Sequence, residues 1–535
     1  MTSPLVRIEN IFFSLILLLL SISCSTDSSS EDEITQENLQ PSTFEISITD
    51  DSYLTATISW SQSFDPENGS VLYNVIIDDT VVAQGLSDRV FNFENLVPST
   101  SYSINVVAYD SELSERLQSI TLTTTGNSSP LPFEILDIEV SNVSASIFWE
   151  DAIDPENDTV LYNVVLEGNT VIEGLSNTFH TIENLQPNQL YEGLIVAVDS
   201  EGNATEINFT FTTPDGIFNG DVSFYNQEDL VSFANAGWIG INGNLSLGSP
   251  GTTTIITDLS PLGAIENIQG NVSIWSVEGL STIDGFSPQT IGGSLRIESN
   301  PNLETIQGFS TLTLVTNNVV IKANPVLITI NSFENVTIIG GPILIDNNFI
   351  LSEISAFNNL TSVNSIRIEL NSELLAITGF SNLVSLENTV TISDSPNLSS
   401  ITAFTQLESS GDLTLINLGI EHVDSFNMLK TVREQLFIGE CANLIDITGL
   451  SNFESVTFEG FGSFVISNNE ELSTLNGLES LIEIAGFLSI NENPQLSNFC
   501  ALENLLNTDT PSNFDIYQNL FNPTIQDILD GNCTN

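Results

Sequence analysis

The sequence predicts an all-β chain: two β-sandwich domains followed by a parallel β-helix or solenoid of about eleven coils with short helical caps. Three observations point there. A block of residues recurs once at an offset of 89, and a shorter pattern recurs every 23 or 24 residues from about residue 215 onward. Within both units, short segments alternate apolar and polar residues with period two, the signature of strands with one buried face.

The chain has 535 residues, of which 41% are hydrophobic, enough for several packed cores and too many residues for one. Lys and Arg total 8 against 69 Asp and Glu, a formal net charge of −61. That field repels phosphate backbones and anionic lipid surfaces, so no nucleic-acid partner is expected. The four cysteines, Cys24, Cys441, Cys500 and Cys533, fit no zinc spacing, and His180 and His422 sit in unrelated regions. No cofactor is expected, with calcium the one candidate taken up below.

Residues 11–22 form an apolar run long enough for a signal-peptide core and too short to span a bilayer. Ser21 and Ser23 then lead into Cys24, and the polar, acidic residues 25–40 follow without a core pattern. This arrangement resembles a bacterial lipoprotein signal, and the Ser/Asp/Glu run resembles the export tag of Bacteroidetes surface lipoproteins. The resemblance implies a signal peptide over 1–23, lipidation of Cys24, a flexible tether over 24–40 and an outer-membrane location facing the cell exterior. The membrane would then be met through the N-terminal lipid only.

The 89-residue repeat places Trp60, Tyr73, Pro98, Tyr102 and Asp110 against Trp149, Tyr162, Pro187, Tyr191 and Asp199. Stretches 55–60 and 102–110 alternate as strands, and a unit of this length made of short strands suggests a sandwich. Leu96, Pro98 and Tyr102, repeated as Leu185, Pro187 and Tyr191, match a tyrosine-corner pattern. Residues 41–126 and 127–214 therefore resemble fibronectin type III domains, which implies spacers or binding modules without chemistry. Asp65 and Glu67 recur as Asp154 and Glu156, the second copy adding Asp158. Clustered loop carboxylates suit calcium, a hard cation that takes oxygen ligands. The same Asp, Pro, Asn and Gly residues also favour a plain turn.

In residues 215–535 the repeat is anchored on Ile274, Ile297, Ile321, Ile345, Ile368, Ile392, Leu415, Ile438, Ile466 and Ile490. Three residues after most anchors comes Asn, six after comes Leu, nine after Ile, and twelve after Phe or Leu. The residue two before each anchor and the anchor itself point inward, which makes one short strand per coil in a stacked parallel sheet. The Asn slot suits a ladder of amides bonding to the neighbouring coil, and Cys441 in that slot reads as a small buried thiol. Residues 226–236, with Asn226 as N-cap, predict a helix over the first coil. Residues 500–506 and 522–529 predict helical turns at the other end, bracketed by Cys500 and Cys533, which are placed to pair in an oxidising compartment. The coil pattern resembles the leucine-rich-repeat-like β-helix of receptor L domains. It does not carry over a ligand.

The outward strand residues mix apolar side chains with the chain's scarce cations. Trp275, Arg296, Lys322, Leu344, Arg367 and Phe437 form a candidate binding face, with Phe461 on an insertion in the one 28-residue coil. The expected function is binding or adhesion toward an unknown protein or glycan, without catalysis. A polysaccharide-active β-helix enzyme needs paired carboxylates in a groove, and the acids here show no repeated pair. A purely structural surface stalk is the other alternative.

Overall fold

The computed structural model describes residues 37–535, so the signal peptide expected over 1–23, Cys24 and most of the expected tether lie outside the described residues. The chain divides into two compact units, residues 1–128 and 129–535.

The first unit holds seven strands: β1 (Ile46–Asp51), β2 (Ala56–Trp60), β3 (Leu72–Ile77), β4 (Thr80–Leu86), β5 (Val90–Phe93), β6 (Ser101–Tyr109) and β7 (Glu115–Thr123). They form an antiparallel sheet β1-β2-β5 and a second sheet β4-β3-β6-β7. Inward residues of both, including Ile58, Val75, Ile104 and Val106, make one core. Trp60 packs on Tyr73 with ring centroids 5.5 Å apart, and the Tyr73 hydroxyl accepts from the Ser63 N–H at 2.8 Å. Tyr102 closes the corner by accepting from the Val97 N–H at 2.7 Å.

The second unit opens with the same sandwich in β8 (Ile135–Val140), β9 (Ser144–Trp149), β10 (Leu161–Leu166), β11 (Asn169–Leu175), β12 (Phe179–Glu183), β13 (Leu190–Val198) and β14 (Ala204–Thr212). Its sheets run β12-β9-β8 and β11-β10-β13-β14. Trp149, Tyr162 and the corner bond from the Gln186 N–H to the Tyr191 hydroxyl, 2.8 Å, repeat the first copy.

The solenoid follows. One continuous path of thirteen mostly short parallel strands, from Val222–Phe224 to Asn513–Tyr517, forms its principal sheet. Two more strands exist than the ten L-x-I anchors and Leu247 supply. The first coil anchors on Phe224, and the last, on Ile516, lies beyond a helical insertion that breaks the spacing. Each regular coil adds two two-residue strands, such as Thr290–Ile291 before the principal strand and Thr305–Ile306 after it, so three faces enclose the core. Leu, Ile and Phe columns fill it: Leu327, Ile330 and Phe333, for example, are fully buried.

The corner after most principal strands uses a residue at positive φ, such as Ser299, Ala323, Asn347 and Leu370, each followed by the ladder Asn. Asn324 Nδ2 donates to the Ile297 carbonyl at 3.0 Å, and Asn324 Oδ1 accepts from the Asn300 backbone and amide nitrogens at 3.1 Å each. Asn348, Asn371, Asn469, Asn493 and Asn519 also donate to the carbonyl of an earlier anchor. Cys441 stands in this slot fully buried, and burial pushes its thiol pKa up to about 11. Its N–H bonds Asn469 Oδ1 at 3.1 Å, so its backbone keeps the ladder while its side chain acts as a small apolar filler.

Helix α1 (Gln227–Asn235) starts where Asn226 Oδ1 accepts from the Asp229 N–H at 2.9 Å. At the other end come α2 (Glu503–Thr508) and α3 (Ile525–Leu529), and Cys500 is bonded to Cys533.

Candidate binding surfaces

The strand register fixes which residues share the outward face of the principal sheet. One column runs Ser273, Arg296, Val320, Leu344, Arg367, Thr391, Thr414, Phe437, Val465 and Ser489. A parallel column, one residue past the anchors, runs Trp275, Glu298, Lys322, Asp346, Glu369 and Ser393. Arg296, Lys322, Leu344, Arg367 and Phe437 thus lie on one sheet face, with Trp275 near its start. Phe461 does not. It sits in the turn of residues 457–462, between the two-residue strand Ser455–Val456 and the principal strand Ser463–Ser467.

Each face cation is paired on the face itself. Arg296 Nη1 reaches Glu298 Oε1 at 2.9 Å, Lys322 Nζ reaches Asp346 Oδ2 at 2.6 Å, and Arg367 Nη2 reaches Glu369 Oε1 at 2.8 Å. The hydrogen bond from Lys322 to Asp346 holds the ammonium pKa above the usual lysine value. The three carboxylates are the more covered partners, with side chains 12%, 9% and 19% exposed against 42%, 41% and 53% for the cations. The outward cations are therefore half of a neutral ion-pair ladder. The acids that neutralise it were legible: reading every residue one past an anchor, beyond Trp275 and Lys322, gives Glu298, Asp346 and Glu369.

Apolar groups sit between these pairs. Leu344 is half-buried and Val320 almost wholly so, covered by neighbouring side chains. Further along, the Phe437 ring lies down across the face: a Cβ at Gly439 would stand 2.6 Å from Phe437 Cε1. A side chain at Gly439 would displace the ring from the neighbouring column.

The carboxylates weighed for calcium work locally. Asp65 Oδ1 accepts from the Glu67 N–H at 2.8 Å, and Asp154 Oδ1 accepts from the N–H groups of Glu156 at 2.9 Å and Asp158 at 3.1 Å. Among the described residues no group of three His, Cys, Asp or Glu side chains is arranged to hold a metal ion. Through these bonds Asp65 and Asp154 cap their own turns.

No protein-family model matches the chain. No curated protein matches it either. Among solved structures, a two-domain fibronectin type III segment of chicken tenascin is 20% identical, covers 32% of this chain and 99% of its own, and has a TM-score of 0.18. Fibronectin(III)-like modules of Clostridium thermocellum CbhA are 12% identical over 32% of this chain and 95% of theirs, with a TM-score of 0.17. The central fibronectin-III array of RIM-binding protein is 17% identical over 34% of this chain and 71% of its own, with a TM-score of 0.14.

Proposed function

We propose that this chain is a surface-anchored binding protein whose principal solenoid sheet captures a protein or an extended glycan, and that it performs no catalysis. One observation carries the reading: in a chain of net charge −61, the face around Leu344 pairs its three cations with three carboxylates and is locally neutral. A partner docking there meets no uncompensated charge, and half-covered apolar groups lie between polar ones, the composition of a recognition surface. Thirteen strands at about 4.8 Å spacing give a sheet on the order of 60 Å long, ample for either partner. The coil pattern supports kinship with receptor L domains, and the sandwiches would serve as spacers.

Reversing Arg296 and Arg367 together to Glu leaves Glu298 and Glu369 facing new like charges. The double variant is expected to lose most capture in a cell-adhesion or pull-down assay. Unfolding free energy should shift by no more than about 1 kcal/mol, since the guanidinium groups are half exposed. Full retention of capture would remove this face as the site.

The run before Cys24 supports an N-terminal lipid anchor on the outer membrane, toward the exterior. Among the described residues no helix is long and apolar enough to cross a membrane. Mass spectrometry of the mature N-terminus is expected to find diacylated Cys24; an unmodified Cys24 inside a longer mature chain would end the anchoring proposal.

A further inference from the structure

The solenoid departs from its own regularity in one stretch. The sheet of two- and three-residue strands before the principal strands runs unbroken over seven strands and stops at Ser362–Val363. Beyond it the corner straightens: the next principal strands lengthen to Thr389–Ser395, Ser409–Leu418 and Thr431–Gly439, the last two absorbing the corner into continuous strand. Pairing slips between Ser410 and Asp412, where Arg433 and Glu434 oppose Gly411 alone, a β-bulge. Bulges recur where a strand must re-aim side chains.

The straightened corner is a groove. Two adjoining depressions of about 550 and 290 Å³ share Glu387. They run across successive coils from Gly340 to Thr457. Five steps at about 4.8 Å make this roughly 24 Å long. Asn388, Ser409 and Thr431 line it with neutral donors and acceptors, joined by Glu387 and Arg433. Arg433 is paired with Glu434, which leaves it no free charge for an anion.

The 28-residue coil closes one end. Directly after the groove-lining Thr457, the Phe458 N–H donates to the Arg433 carbonyl at 2.7 Å, tying the inserted turn to the bulge. That turn carries Phe458 and Phe461, rings 5.7 Å apart, 45% and 76% exposed. An aromatic pair kept in water beside a polar groove marks a recognition surface.

We propose that this corner groove binds a neutral, linear oligosaccharide, its hydroxyls bonding the Ser, Thr and Asn lining while sugar C–H faces pack on Phe458 and Phe461. The proposal rests on the reading of the solenoid as a binder, at a site distinct from the ion-pair face. Sugar hydroxyls both donate and accept, as the lining does. A protein partner wants an apolar core, and Leu386 is the one aliphatic residue lining the larger depression. Anionic polymers are opposed by the field of the chain.

The test is affinity electrophoresis of the mature chain through gels holding soluble neutral polysaccharides (mixed-linkage β-glucan, xyloglucan, galactomannan, arabinoxylan) or anionic ones (alginate, polygalacturonate). Retardation by at least one neutral polymer is expected. It should weaken at least tenfold in Phe458→Ala/Phe461→Ala with an unchanged melting temperature, and persist in Arg296→Glu/Arg367→Glu. No retardation by any neutral polymer, retardation by anionic polymers alone, or equal retardation of the double-Phe variant overturns the proposal. If cell or protein capture still depends on the two arginines in that event, the ion-pair face stands and the groove alone falls.

Discussion

Replacing Asn324 by Leu is expected to cost about 3–5 kcal/mol of unfolding free energy, because it orphans backbone groups where water cannot reach. Asn324 is fully buried. Its Oδ1 is the acceptor for the Asn300 backbone N–H at 3.1 Å, and its Nδ2 satisfies the Ile297 carbonyl at 3.0 Å. Leucine fills the volume and restores neither bond. Two buried groups then carry their desolvation cost at about 1–3 kcal/mol each, and the break propagates because Asn300 Nδ2 also bonds Asn324 Oδ1. The control is Asn302→Ala. That side chain donates to the Glu278 carbonyl at 2.8 Å from an exposed position, and its loss should cost no more than about 0.5 kcal/mol. Urea unfolding followed by far-UV circular dichroism reads both. Equal shifts in the two variants would mean that the ladder contributes no more than a surface bond.

The regularity that makes this prediction possible is plain in the sequence. Wherever stacking forces one residue type into one slot, as with Asn at the ladder or Leu six residues after the anchor, the 23–24-residue period exposes it. The first and last coils were illegible for the opposite reason. Phe224 is buried and Ile516 half-buried, but each of these coils has neighbours on one side only, and caps relax the spacing. The ion-pair ladder is legible from the same period: the outward cations stand out in an acidic chain, and Glu298, Asp346 and Glu369 each fall one residue past an anchor. The corner groove could not be read at all. It depends on two-residue strands merging into longer ones around Gly411 and on a bulge, and neither leaves a pattern beyond the lengthened coil at Glu459 and Phe461.

The aromatic column shows a further limit of sequence reading and yields the last expectation. Phe309, Phe333, Phe357, Phe380 and Phe404 stack with centroids 4.9–5.4 Å apart, and all five hold positive φ, between 59° and 69°. Bulky residues avoid that region, so a Phe in every coil argues against such a turn unless packing enforces it. Here it does: Phe357 is fully buried between Phe333 and Phe380 at 4.9 and 5.4 Å, so its ring anchors the turn that its backbone disfavours. Phe357→Ala should therefore cost about 3–5 kcal/mol, the usual range for a buried aromatic replaced by a cavity. Phe357→Gly should do no worse, and better by about 1 kcal/mol, because glycine adopts φ of +64° without the Cβ clash that alanine keeps. Elsewhere in folded structure the order runs the other way, glycine being the costlier replacement. Comparing the two urea midpoints isolates the backbone contribution, since both variants remove the same ring. If the glycine variant proves less stable than the alanine variant, the left-handed turn is not a source of strain in this column, and the stacked rings would have to be holding a backbone already content to turn there.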